Sequence, residues 1–541
     1  MTEEHTRPDR AVLRPYRPAA AALAALSCLQ SLGLVALALV SRRVLDSGGW
    51  GWGLALGLLA AGIPALGAAA ARLSGGAVDR AASALRHAAA EGLLGAGGAG
   101  RDRFRSGQLF SRLTQDAYTL CQWRISLLPQ LAGQGVRLAA ALAALCAVSL
   151  PLAAAAAAAG VAALAAGRAY RRAVKERHLR ARRADESLTG CAQELLDHME
   201  LLQAMDAGTE ALRRFDRRQE DWRQARRGLR DLTSAGGAAF SAGLRLVYAA
   251  LLVWGGWAVR GGTLTFGGLA ALAQLLGLFQ GPLSGLTGVQ SQLAAVRAAE
   301  ERLDALWALP REPSGPPPDT GGACRAIVFD RVTFRYGAGR PPVLRDFSAR
   351  LPLDRWVCLT GASGSGKTTL LRLILGRYAP QSGRVYLETA AGEIPCTAAT
   401  RRLFGYVPQT PALFSGTIRE NLLLANPRAE EPALRAALER AGCGFVRDLP
   451  EGLDTPLGEG GGGLSAGQRQ RLAAARALLA GAEILLLDEV TSALDRETGD
   501  RLLADLAEAV PAAVSATHRA PAPEGAAILH LGGPPGAAAQ A

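Results

Sequence analysis

Gly361-Ala362-Ser363-Gly364-Ser365-Gly366-Lys367-Thr368-Thr369 follows the apolar run Trp356-Val357-Cys358-Leu359-Thr360 and leads into Leu370-Leu371-Arg372-Leu373-Ile374-Leu375. A short apolar run, a glycine loop and a leucine-rich run predict strand, turn and helix, with GxxxxGK[ST] at the junction. Glycines let backbone N–H groups wrap phosphate oxygens at a helix N-terminus, where the helix dipole already favours anions. Lys367 is one of only two lysines in the chain, the other being Lys175. In this pattern Lys367 neutralises β- and γ-phosphates, and the Thr368 hydroxyl ligates Mg2+.

Working outward, Ile484-Leu485-Leu486-Leu487 is a continuous apolar run that ends in Asp488-Glu489. Such a run has the form of a buried parallel strand delivering carboxylates at its C-terminal edge. Asp488 then holds Mg2+ through water and Glu489 polarises an attacking water. Ala326 to Phe334 alternates as a strand does. Before it, Leu309-Pro310-Arg311-Glu312-Pro313-Ser314-Gly315-Pro316-Pro317-Pro318 is a proline-stiffened linker, so a linker over 309–323 and a domain over 324–541 are expected.

The first 308 residues read differently. The chain has 541 residues, 49% of them hydrophobic, a mean hydropathy of +0.13 and a formal charge of +13. The apolar residues concentrate before about residue 300, in six stretches over 19–40, 52–71, 127–148, 150–167, 238–259 and 266–286. The first is too long for a cleavable signal sequence, whose apolar region has about 7–15 residues. Two polar connections, 72–124 and 168–233, carry most of the arginines of this half. The positive-inside rule puts both connections, and both termini, in the cytosol. Arginine beside apolar stretches rather than between aromatics argues for membrane flanks and against nucleic acid. The eight cysteines are scattered with no CxxC pair, which indicates neither a zinc site nor a disulfide framework.

Leu464-Ser465-Ala466-Gly467-Gln468-Arg469-Gln470 lies between the glycine loop and Asp488-Glu489, and Ser492-Ala493-Leu494-Asp495 follows them. With Leu449 to Thr455 and Gly458 to Gly461, this set resembles the ATP-binding cassette of an ABC exporter half-transporter. Gln409 in Tyr406-Val407-Pro408-Gln409, Tyr336, and His518 in Ser515-Ala516-Thr517-His518-Arg519 fill that family's Q-loop, aromatic and H-loop positions. Gly262 to Pro282 and Ala299-Glu300-Glu301-Arg302-Leu303 are similar in detail too.

The resemblance implies a multi-domain fold, an all-α six-helix transmembrane bundle followed by an α/β P-loop cassette. It implies ATP and Mg2+ as ligands, with Glu489 as general base, His518 on the γ-phosphate, Gln409 sensing Mg2+ and Tyr336 stacking on adenine. The loop residues Gly361 through Thr369 would hold phosphate, with Thr368, Gln409 and Asp488 as the metal set. Ser465, Gly467, Gln468 and Asp495 would complete the nucleotide site, the first two acting on ATP bound by a second half-transporter. A homodimer is favoured, with a heterodimer as the alternative. Departures are Ala466, where glycine is commoner, and a shortened strand and helix after His518. The function expected is ATP-driven export from the cytoplasmic membrane, with cargo unspecified. The alternative is a membrane-bound ABC ATPase that senses or regulates without transport.

Overall fold

The computed structural model describes residues 8–102, 104, 106–148, 150–312, 315–316, 318–337, 339–517 and 525–532. Two compact units result, Met1–Glu91 with Ser106–Trp307, and Gly92–Arg105 with Ala308–Ala541.

The first unit is built of long helices: Arg17–Ser47, Trp50–Leu94, Leu128–Val148, Leu150–Asp197, Gly208–Arg260, Phe266–Gly277 and Gln280–Trp307. Each expected apolar stretch lies in one of them except the last. The stretch over 266–286 is broken after Gly277, where one helix ends before the next begins at Gln280, and proline at 282 lacks the N–H that would continue the ladder. Among the described residues, four helical segments are long and apolar enough to cross a bilayer: Asp9–Ser47, Trp50–Leu94, Gly107–Val148 and Gly208–Arg260. The side chains of residues 151–169, which include most of the fourth stretch, lie outside those described. Many apolar side chains face outward, Leu54 and Leu58 among them, as a surface in hydrocarbon or against another helix requires.

Small residues set the helix contacts. A β-carbon on Gly133 would sit 2.6 Å from the Ser27 side chain, so the helices Arg17–Ser47 and Leu128–Val148 cross at glycine. Where the bundle turns polar, arginine–carboxylate clamps replace this packing. Arg302 pairs through Nε and Nη2 with both oxygens of buried Asp116, at 2.7 and 2.6 Å. Arg124 bridges Asp9 and Glu300, each at 2.8 Å.

The second unit carries a four-stranded antiparallel sheet and a five-stranded parallel one. In the first, β1 (Ala326–Phe334), β2 (Leu344–Pro352), β4 (Ser382–Thr389) and β5 (Gly392–Pro395) stand in the order β2-β1-β4-β5. In the second, β3 (Trp356–Gly361), β6 (Phe404–Val407), β9 (Ile484–Asp488), β10 (Ala513–Ala516) and β11 (Ala527–Leu531) stand in the order β11-β3-β10-β9-β6. The short β7 (Gly416–Thr417) and β8 (Pro456–Leu457) pair with each other. All five residues of β9 are buried, and the period of two divides them. Leu485 and Leu487 enter one core, Ile484 and Leu486 the other.

The segment 92–105, read from sequence as part of a cytoplasmic connection of the membrane half, groups with the second unit. The start of the linker is pinned rather than free. Glu312 N donates to the Gly95 carbonyl at 2.9 Å, and Gly97 N to the Pro310 carbonyl at 3.1 Å. Leu486→Ala, at a site with no solvent exposure, is expected to cost this unit about 2–5 kcal/mol. The measurement is hydrogen exchange at the β3 and β9 amides of the full chain. Unchanged protection would contradict the placement of β9 at the centre of both cores.

Candidate nucleotide site

The parallel strands β3, β6, β9 and β10 all end at one edge of the sheet, where ligands of open α/β sheets bind. That edge receives the glycine loop, Gln409, Glu489 and Thr517. Gly361, Gly364 and Gly366 adopt φ of 146°, 82° and 103°, which side-chain-bearing residues rarely adopt. At Gly361 a β-carbon would also lie 2.3 Å from the Leu531 carbonyl oxygen, since β11 runs directly beside β3. The expected short C-terminal strand therefore braces the loop from behind.

Lys367 is buried at the first turn of the helix Lys367–Ile374. Its Nζ donates to the carbonyls of Gly361 and Ala362, at 2.8 and 3.0 Å, holding the ammonium inside the loop. The Ser365 hydroxyl is buried with no partner among the described residues. A polar cradle with an orphaned hydroxyl and a sequestered cation fits a phosphate chain.

Across the loop, Thr368 Oγ1 donates to Asp488 Oδ1 at 3.0 Å. Burial pushes the Asp488 pKa above the usual carboxylate value, against the Thr368 hydrogen bond. Hydroxyl and carboxylate oxygens are hard donors that suit Mg2+, which also takes phosphate oxygens and keeps waters. Gln409 Nε2 donates to Glu489 Oε2 at 2.7 Å, leaving its amide oxygen as the group a metal would use. Glu489 stands at φ 51°, a left-handed turn unusual for glutamate, with its N–H on the Ala516 carbonyl at 2.9 Å.

Tyr336 meets the loop helix through its hydroxyl, 2.9 Å from Thr369 Oγ1, and accepts from Arg372 at 3.3 Å. Its ring stands edge-on to Phe334 and Tyr378. Ser465 and Gln468 form a capping box at the start of the helix Ala466–Leu479, which leaves Ser465 exposed at a helix N-terminus. Gly467 is required by packing, since a β-carbon there would lie 2.8 Å from Leu494. Ala466, the departure from the commoner glycine, is exposed. Asp495 caps the helix Arg496–Ala509 by accepting from Thr498 N at 2.9 Å, a bond that lowers its pKa. His518 lies outside the described residues.

Gln470 and Arg401 carry roles that sequence reasoning did not assign. Gln470 is buried, and its Nε2 reaches the Glu489 carbonyl at 3.4 Å. Its place inside the quoted signature Leu464–Gln470 was the available signal. Arg401 joins the linker to the far end of the glycine-loop helix, donating to Glu312 at 2.7 Å and to the Leu375 carbonyl at 2.8 Å. Nothing local in the sequence marks that contact.

Folding raises the Asp488 pKa, so the fold favours the protonated carboxyl, and this preference is lost as pH rises through the folded value. Asp488→Asn is thus expected to raise the melting temperature of the nucleotide-free chain at pH 8, by a margin that narrows as pH falls toward the ordinary carboxylate range. The same variant should lose Mg2+-dependent protection by nucleotide. A melting temperature at pH 8 no higher than wild type would contradict a burial penalty at Asp488.

Comparison with known proteins matches both parts of the chain. The ABC transporter family profile matches residues 344–492 and the ABC transporter transmembrane region profile matches residues 22–283. The chain is 32% identical over 404 residues to an ABC multidrug transporter, mdr2, of Aspergillus fumigatus, covering 73% of this chain and 50% of that one. It is 30% identical over 402 residues to a fatty acid ABC transporter ATP-binding/permease protein of Mycobacterium tuberculosis, covering 73% and 63%. An ATP-dependent lipid A-core flippase of Cupriavidus pinatubonensis is 38% identical over 253 residues, 46% of this chain and 42% of the relative. The matches thus span about half the length of these relatives. The structure of a bacterial Atm1-family ABC exporter with ATP bound superposes with a TM-score of 0.76 at 25% identity, covering 96% of this chain and 94% of that one. A membrane-embedded helical region followed by a P-loop cassette, matched over both parts, places the chain in the ABC transporter family as a half-transporter of exporter architecture.

Proposed function

We propose that the chain is one half of an ATP-driven exporter that dimerises and couples ATP hydrolysis to outward movement of cargo across the cytoplasmic membrane. The observation that carries this reading is the pairing of Thr368 with Asp488 and of Gln409 with Glu489 beside the Lys367 loop. Mg2+, when bound, offsets the charge of the phosphates during transfer. Thr368, Asp488 and Gln409 would hold it. Glu489 takes the proton of the attacking water, and its position is fixed by Gln409 from one side and by the Ala516 and Gln470 contacts to its backbone from the other. Lys367 and the loop N–H groups orient the phosphates, and His518 holds the terminal one.

Hydrolysis needs a second copy in this reading. Ser465 presents an exposed helix N-terminus, a place where a phosphate is stabilised, and in the exporter family that phosphate belongs to the partner's nucleotide. A homodimer is the simplest assembly because the cassette motifs are all present in this chain. The arginine-rich connections support cytosolic termini and a cytosolic cassette. Relatives named for lipid A-core and fatty acids act on amphiphiles, so amphiphiles are the first cargo class to screen in sealed vesicles.

Glu489→Gln keeps shape and removes the base, and is expected to reduce ATP turnover by roughly 10²-fold or more while nucleotide still binds. Wild-type turnover in that variant would remove Glu489 from the mechanism. Mixing a Lys367→Ala chain with a Ser465→Arg chain is expected to restore activity that neither parent shows, because one composite site is then intact. Two equally inactive parents and an inactive mixture would count against sites shared between subunits.

A further inference from the structure

The helices Leu150–Asp197 and Gly208–Arg260 run antiparallel and form an open groove of about 690 Å3 in the polar part of the membrane unit. Three contacts set its width. The Tyr170 ring lies against Gly236, where a β-carbon would be 2.4 Å from the ring. Arg177 Nη1 donates to the Gly228 carbonyl at 2.6 Å, and Trp222 Nε1 donates to Asp185 at 2.8 Å. The groove is therefore a built feature of the helix pair.

Its chemistry is two-sided. Arg226, Arg227 and Arg230 line it from one helix and His178 from the other. Arg223, which also lines it, pairs with Glu220 at 3.7 Å. Among the described residues, by contrast, no ion pair engages Arg226, Arg227 or Arg230, and Arg226 lies over the Trp222 ring at 5.1 Å. These three guanidinium groups are exposed and clustered with no carboxylate partner among the described residues, and their planar forks match phosphate or carboxylate. The half-buried floor of Val174, Trp222 and Leu229 is apolar. Arg230 is eight residues before Ala238, where the apolar run of its own helix begins. That is about 12 Å along a helix rising 1.5 Å per residue, within reach of a short acyl or alkyl chain.

We propose that this groove binds an anionic amphiphile, its phosphate or carboxylate on Arg226, Arg227 and Arg230 and its apolar part along Val174, Trp222 and Leu229 toward the bilayer. The site gives the export reading a ligand class, and binding in it does not require hydrolysis.

The test uses the full chain in phosphatidylcholine nanodiscs, with calorimetric titration of dodecyl phosphate, of inorganic phosphate and of uncharged dodecyl maltoside. Dodecyl phosphate is expected to bind at least 10-fold more tightly than either control. Arg226→Gln/Arg230→Gln is expected to weaken it at least 10-fold, with Arg226→Lys/Arg230→Lys falling between. Equal binding of dodecyl phosphate by wild type and the glutamine variant would overturn the proposal, as would tight binding of dodecyl maltoside. Inorganic phosphate binding as well as dodecyl phosphate would overturn its apolar half. Replacing a third of the phosphatidylcholine by phosphatidylglycerol separates the sources: competition identifies a bilayer lipid as occupant, and undiminished affinity identifies a diffusing amphiphile. ATP turnover of the same wild-type sample reads the cassette separately, so a failed groove beside intact turnover leaves the export reading standing.

Discussion

The 3.0 Å hydrogen bond from Thr368 to Asp488 joins the first turn of the glycine-loop helix, which follows β3, to the end of β9 across 120 residues of sequence. Its neighbours offset part of the cost of burying this carboxylate, with a hydroxyl at bonding distance and the Lys367 and Arg372 charges nearby. The whole parallel sheet serves that arrangement. β10 lies between β3 and β9 and bonds to both, so the spacing of loop and carboxylate is fixed by two strand pairings. β6 lies on the far side of β9 and delivers Gln409 to Glu489. β11 supports Gly361 from the other side.

The glycine-loop helix is held at both ends. Its first turn is fixed by the Lys367 and Thr368 contacts. Its last carbonyls receive Arg401, which is itself clamped by Glu312 of the linker. Next to that helix end, Arg377 and Tyr378 meet the segment 92–105: Gly98 N donates to the Arg377 carbonyl at 3.2 Å, and the Tyr378 hydroxyl donates to Asp102. Burial and this carboxylate push the Tyr378 pKa up to about 12, so the phenol stays a donor. Tyr378 packs edge-on against Tyr336, whose hydroxyl sits on Thr369. Segments adjoining the membrane helices are thus two side chains away from the phosphate loop, within a single compact unit.

The membrane unit follows a different physics. Where it is apolar, glycine and alanine let helices approach closely, and leucines are left facing outward. Where it turns polar, Arg124 and Arg302 are each satisfied by carboxylates from other helices. Arg226, Arg227 and Arg230 have no such carboxylate among the described residues, which sets their groove apart from the clamps that hold the bundle together.

The sequence by itself determined the two kinds of domain and most of the candidate nucleotide site. Hydropathy is a property of runs, and the glycine loop, Asp488-Glu489 and the Ser465 signature are local patterns whose chemistry depends on residues a few positions apart. Strand bounds were legible for the same reason: Ala326–Phe334 is β1 as read, and the apolar run before Gly361 is β3. What adjoins what was not legible. The break after Gly277 within an apolar stretch, the capture of 92–105 and the linker by the cassette unit, the Glu312–Arg401 clamp and the arginine groove each depend on partners far apart in sequence. Only the tertiary structure decides such contacts, because hydrogen bonds and ion pairs are short-ranged and the chain must fold before either partner is in reach.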